Sequence, residues 1–167
     1  MYEFITDAIC LDQVETADDF RQSAIGFGEF QRDLADFDAS TLTETIPLFH
    51  DTQNRFRQLH DAIKVDPFNR AKDVRREIDF ALAREAQAGE MLSMCRRGDL
   101  PLRVTHNDTK LNNVMLDAKT RRALCVIDLD TVMPGLAGND FGDSIRFGAS
   151  TGAEDERDLD SVWMNLD

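Results

Sequence analysis

Residues 104–132 read VTHNDTKLNNVMLDAKTRRALCVIDLDTV, and the reading of this stretch decides the fold. Two polar blocks, 105–113 and 128–131, flank two short apolar runs. Val114 to Leu116 forms one strand, Asp117 to Arg122 a polar turn, and Ala123 to Ile127 a second strand. A hairpin sets the start of its first strand beside the end of its second. The pattern therefore predicts that Asp108, Asn113 and Asp128 converge.

The chain has 167 residues, enough for one domain with a real core, and 1–167 is expected to be a single domain. Its 42% hydrophobic and 31% charged residues are those of a globular protein. The net charge of −13 repels nucleic acid and anionic membrane, so neither is expected as a partner. Cys10, Cys95 and Cys125 are odd in number and widely spaced. That spacing argues against a structural zinc site or a disulfide framework and favours a reducing cytoplasm. No apolar run approaches membrane-spanning length.

Outward from the hairpin, the apolar spacing predicts helices. The first runs from Thr16 to Phe37, opened by a Thr16–Asp19 capping box, with Gly26 and Gly28 marking either close packing or a break. The second starts near Pro47 and ends before Pro67. A third, long helix runs from Arg70 to Arg97 and closes on Gly98 as a left-handed cap. A short helix is expected over 139–148 and an acidic one over 154–166. Residues 1–10, MYEFITDAIC, suggest an opening strand at Tyr2, Phe4 and Ile5. The fold class expected is α+β, mainly helical, with the small hairpin carrying the site.

The polar blocks hold what phosphoryl transfer needs. That reaction takes a carboxylate to orient and deprotonate the acceptor hydroxyl, oxygen ligands for Mg²⁺, and a cation near the transferred group. Asp108 is the candidate base. Lys110, two residues on, can neutralise phosphate charge. Asn113 offers an amide oxygen to the metal. Asp128, ending an apolar strand, is the main metal ligand, since Mg²⁺ takes hard oxygens and only one or two protein carboxylates.

The series His106-x-Asp108-x-Lys110-x-x-Asn113, a hairpin, then Ile127-Asp128 resembles the catalytic loop and metal-binding aspartate of protein-kinase-like enzymes. The wording HNDTKLNN, followed by IDLDTVMPG and DFGDSIRFG, is most similar to the aminoglycoside phosphotransferase and choline kinase family, and within it to the N-acetylhexosamine kinases. The resemblance spans residues 103–150, with a fainter likeness of MYEFI to the hinge whose backbone holds adenine. It implies the C-terminal lobe of a kinase-like fold, ATP and Mg²⁺ as cofactors, and transfer of the γ-phosphate to a small-molecule hydroxyl. The acceptor implied is the anomeric hydroxyl of an N-acetylhexosamine. Position by position it implies Asp108 as base, Asn113 and Asp128 as magnesium ligands, and Lys110 on phosphate, where many aminoglycoside enzymes carry histidine. Asp130 becomes a second metal ligand or a sugar contact, and Glu3, Phe4 and Ile5 the adenine hinge. His106 braces the loop. Asp140-Phe141-Gly142 spells the protein-kinase metal motif without following a strand, so Asp128 takes that role and Asp143 and Arg146 are structural.

Two other readings compete. Asp128 and Asp130 in CVIDLDTV also fit the nucleophile and acid of haloacid-dehalogenase-type phosphatases. That reading leaves Asp108, Lys110 and Asn113 idle, and the 35 residues after Val132 contain no lysine. A non-catalytic kinase-like module is the third. Taken singly, Asp108, Asn112, Asn113 and Asp117 are each explained as turn residues; the set at fixed spacing is not. The abrupt apolar start and the acidic end suggest truncation at both ends. The chain is then expected to hold hinge and C-terminal lobe only, to bind nucleotide weakly and to turn over poorly.

Overall fold

A computed structural model describes residues 4–153 and 155–165. It is an α+β structure, mainly helical with small antiparallel sheets, as expected of a protein-kinase-like lobe. The chain forms two compact units, Met1–Thr45 with Leu102–Asp167, and Ile46–Pro101. Among the described residues no helix is long and apolar enough to cross a membrane.

The first unit is built on the expected hairpin. Strands β3 (Val114–Asp117) and β4 (Ala123–Val126) pair antiparallel, and β1 (Ala8–Ile9) adds to the other side of β3. Alternation along β3 is strict: Val114 and Leu116 are fully buried, and Met115 and Asp117 are not. Each buried side chain contributes on the order of 1.5–3 kcal/mol by leaving water. Leu11, Phe27 and Leu111 complete this core. Asp117 tightens the turn by accepting from the Lys119 and Thr120 amides at 3.0 and 2.6 Å. β1 starts later than the sequence suggests. Phe4 and Ile5 lie before it, exposed and outside any strand, because Asp7 turns left-handed (φ 54°) and ends the extended run. Tyr2 and Glu3 lie outside the described residues.

Helix α1 (Ala17–Asp33) opens on the expected capping box: Thr16 Oγ1 accepts from the Asp19 amide and the Asp19 carboxylate accepts from the Thr16 amide. Gly26 is a packing site rather than a break. A β-carbon there would press on Val114 Cγ1 at 3.0 Å, so its absence lets the helix settle on the hairpin. Gln22 then accepts from the Ala123 amide at 3.1 Å on strand β4, the sheet's edge. Strands β2 (Arg103–Thr105) and β5 (Met133–Gly135) form a second small sheet, and α6 (Ala137–Gly148) follows it. A β-carbon on Gly135 would fall onto Thr105 Oγ1, which fixes glycine at this crossing. Among the described residues, the segment expected as a terminal acidic helix holds a 3-10 turn at Leu159–Ser161 and, at Met164, a bridge to Ser150, and no α-helix.

The second unit holds α2 (Thr52–Val65), capped by Asp51 rather than starting near Pro47. The long helix expected over 70–97 is instead broken into α3 (Arg75–Leu82), α4 (Glu85–Ala88) and α5 (Glu90–Arg97), after a 3-10 turn at Ala71–Val74. Side chains divert the backbone at each break. Arg84 folds back to the Phe80 carbonyl at 2.9 Å with its guanidinium over the Phe80 ring, and Thr52 takes the Ala88 carbonyl at 2.8 Å. Gly98 supplies the expected left-handed cap (φ 83°).

Candidate active site

The two polar blocks are cross-tied before either presents a reactive group. His106 is fully buried between the rings of Phe27 and Phe30, each edge-on to it. Its Nε2 faces the Ile127 carbonyl at 2.9 Å and its Nδ1 faces the Asp108 amide at 3.4 Å. A carbonyl only accepts and an amide only donates, so the proton is assigned to Nε2 and the lone pair to Nδ1. Thr131 Oγ1 donates to the His106 carbonyl at 2.7 Å, and Asn107 Nδ2 donates to the Thr131 carbonyl at 2.9 Å. The expected brace is therefore real, and it extends through Asn107 and Thr131.

Helix α6 clamps the same loop from below. The buried Asp140 carboxylate accepts from the amides of His106 and Asn107 at 3.0 and 2.8 Å and from Gln31 Nε2 at 2.6 Å. Thr109 donates its hydroxyl to the Asp140 carbonyl at 2.6 Å and its amide to Asp143 at 2.8 Å, while Asp143 pairs with Arg146. Asp140, inside the DFG lettering, thus holds the loop through both of its carboxylate oxygens. Asn107 adopts the left-handed region (φ 68°) to make the turn. Such a conformation costs a non-glycine residue about 1–2 kcal/mol, sustained here by the buried bonds around it.

The reactive cluster sits on this frame. Asp108 is half-buried, with Lys110 Nζ at 3.4 Å from one carboxylate oxygen. Asn113 Nδ2 donates to the Asp108 carbonyl at 2.8 Å and to its other carboxylate oxygen at 3.0 Å. Those bonds settle how the Asn113 amide points, and its oxygen accepts from no described residue. The Ile127 amide donates to the Asn113 carbonyl at 2.9 Å, which draws the start of the second block to the first. Asp128 follows at once, exposed and left-handed (φ 59°), a strained geometry of the kind that gathers at functional sites. Asp130 is exposed on the next 3-10 turn, its carbonyl accepting from Thr45 at 3.2 Å.

The structure thus joins Asp108, Lys110 and Asn113 by direct contact and ties the residue before Asp128 to Asn113. Phe4 and Ile5 make no contact with this cluster through any observed hydrogen bond. Among the described residues no three His, Cys, Asp or Glu side chains are grouped to hold a metal. Magnesium does not ask for that: one carboxylate and one amide oxygen, with phosphate and water, suit it. The uncommitted Asn113 oxygen and the exposed Asp128 carboxylate fit such a set. Asp140 as anchor, with Asn107 and Thr131 as ties, escaped the sequence. The one signal was an aspartate in the first turn of a helix that follows a Pro-Gly loop.

Small antiparallel sheets carrying such a loop, set among helices, define a protein-kinase-like phosphotransferase fold. A model of the phosphotransferase enzyme family, APH, matches residues 2–161, and the chain belongs to that family.

Proposed function

We propose that this chain carries the acceptor-activating and metal-binding part of an ATP-dependent kinase that phosphorylates a small-molecule hydroxyl, the anomeric hydroxyl of an N-acetylhexosamine. The observation that carries the reading is the double hydrogen bond from Asn113 to Asp108, which positions a carboxylate and frees an amide oxygen in one stroke. Asp108 takes the proton of the acceptor hydroxyl. The acceptor oxygen bonds to the γ-phosphorus as the bond to the β–γ bridging oxygen breaks, and ADP leaves. Lys110 neutralises charge on the transferred group. Asn113 and Asp128 hold Mg²⁺, and Asp130 is a second ligand or an acceptor contact. Held there, the metal would supply positive charge to offset that of the nucleotide phosphates. The backbone of Phe4 and Ile5 contacts adenine, as the hinge likeness implies.

A coupled ADP-release assay with N-acetylhexosamines, choline and kanamycin tests the reading. Release that depends on an N-acetylhexosamine supports it; release only with the other acceptors removes the sugar. Phosphate trapped covalently on Asp128 would turn the reading toward the haloacid-dehalogenase-type phosphatase.

A further inference from the structure

The three-stranded sheet has two faces, and the core uses one of them. Val114 and Leu116 on β3 are buried in the core, with Ile9, Ala123 and Val126 packed against it. Met115 lies between those two in sequence and points the other way, because side chains alternate along a strand. Its partner in register on β4 is Cys125. On the opposite edge, Ile9 of β1 is in register with Leu116, and the strands run antiparallel. Cys10 follows Ile9, so it falls level with Met115 and, by the same alternation, on the outer face. Three sulfur-bearing side chains thus stand in one row across the three strands.

Their surroundings agree with this placement. Cys10 is exposed and Cys125 half-buried, and neither is in a disulfide. Burial pushes the Cys10 thiol above its ordinary range, and the Cys125 thiol and then Asp12 push it the same way. That influence of one thiol on the other is the electrostatic mark of two sulfurs on one face.

Spacing and donor type decide what the row can hold. β3 separates β1 from β4, so Cα atoms at one level are two strand spacings apart, about 9.5 Å. A disulfide needs Cα atoms within about 7 Å, which the intact sheet does not offer Cys10 and Cys125. A single ion closes the gap. With sulfur at about 2.3 Å on either side it spans about 4.6 Å, and two side chains leaning over Met115 cover the remainder. The Met115 thioether lies beneath as a third donor. Two thiolates and a thioether are soft ligands, the kind that select Cu(I). Structural zinc takes four ligands and magnesium takes oxygen, so neither suits three sulfurs in a row.

We propose that Cys10, Met115 and Cys125 form a site for one soft monovalent cation of the copper(I) class on the outer face of the sheet. Each thiol releases its proton to solvent as its sulfur binds the ion, and the ion keeps its oxidation state. The loaded site ties β1 to β4 across β3 and stabilises the sheet, since it exists only in the folded chain. It is independent of the phosphotransfer reading above.

The test is anaerobic titration of the reduced chain with Cu(I) against the chelator bicinchoninate, joined to X-ray absorption at the copper edge. One ion should bind per chain, with three sulfur neighbours at about 2.3 Å and a higher thermal unfolding midpoint. Cys10→Ser and Cys125→Ser should each weaken binding by about a hundredfold, equivalent to about 2.8 kcal/mol. Met115→Leu should weaken it by about tenfold, equivalent to about 1.4 kcal/mol, and leave two sulfur neighbours. Cys95→Ser, on α5, should bind as the wild type does. Cys10 is exposed, so Cys10→Ser should unfold like the wild type when no metal is present. The proposal is overturned if either Cys10→Ser or Cys125→Ser binds like the wild type, if Cys95→Ser abolishes binding, or if the neighbours are nitrogen or oxygen. One ion shared by two chains, or no ion held against the chelator, overturns it equally.

Discussion

Asp140 sets the geometry of the loop through the loop's own backbone. Its carboxylate accepts from two backbone amides of the buried turn. Asp140→Ala should destabilise the protein by about 2–6 kcal/mol, from two buried amides that lose this acceptor at roughly 1–3 kcal/mol each. Urea unfolding measures the loss, and hydrogen exchange at His106 and Asn107 should quicken ahead of the rest of β2 and β3. An unchanged midpoint would show that water replaces the carboxylate at no cost. The contrast with Asp108 explains what the sequence could reveal at this scale. Asp108, Lys110 and Asn113 act on neighbours within five residues, so spacing alone exposed them. Asp140 acts across more than thirty residues, where spacing gives no signal.

Among the elements, α1 and the hairpin turn are joined by charge. Asp19, buried at the start of α1, accepts from Arg121 Nε at 2.7 Å, and Arg121 also reaches Glu15 at 2.8 Å. The Arg121 hydrogen bond holds the Asp19 carboxyl below the usual carboxylate range, against the opposing pull of burial and with help from Thr16. A depressed carboxyl stabilises the fold above its unfolded value of about 3.9 and loses that contribution as pH falls through the folded value. Arg121→Ala should therefore lower the unfolding midpoint at neutral pH, and the gap to wild type should close in acid. Equal midpoints at pH 7 would contradict this. Thr16→Ala, which removes the cap, should cost about 1 kcal/mol. The capping box was legible because its partners lie three residues apart. The breaks at 83–84 and 89 were not, since ALAREAQAG has strong helix formers and the carbonyls are drawn off by Arg84 and by Thr52, distant in sequence. The strand at residues 4–5 was misplaced for a similar reason: apolar residues marked it, but Asp7 decides where pairing begins.

At the scale of the molecule, the core is unevenly shared. Leu11, Phe27, Leu111, Val114 and Leu116 all lie in the first unit, while Ile78 is the one buried hydrophobic residue described in the second. Local stability follows buried apolar contact. Amides of α2 to α5 should exchange at lower denaturant than those of β3, and simultaneous exchange would refute the difference. The family was legible in one stretch because the chemistry is concentrated there, and the matching model extends it over residues 2–161. We propose that Asp108, Asn113 and Asp128 form one magnesium-dependent phosphoryl-transfer site. Single-turnover transfer from γ-labelled ATP to N-acetylglucosamine, wild type against Asp108→Asn, tests it most directly. Transfer should depend on magnesium and fall by about 10²–10⁴ in the variant, with nucleotide affinity unchanged; equal transfer by both proteins would remove Asp108 from the reaction.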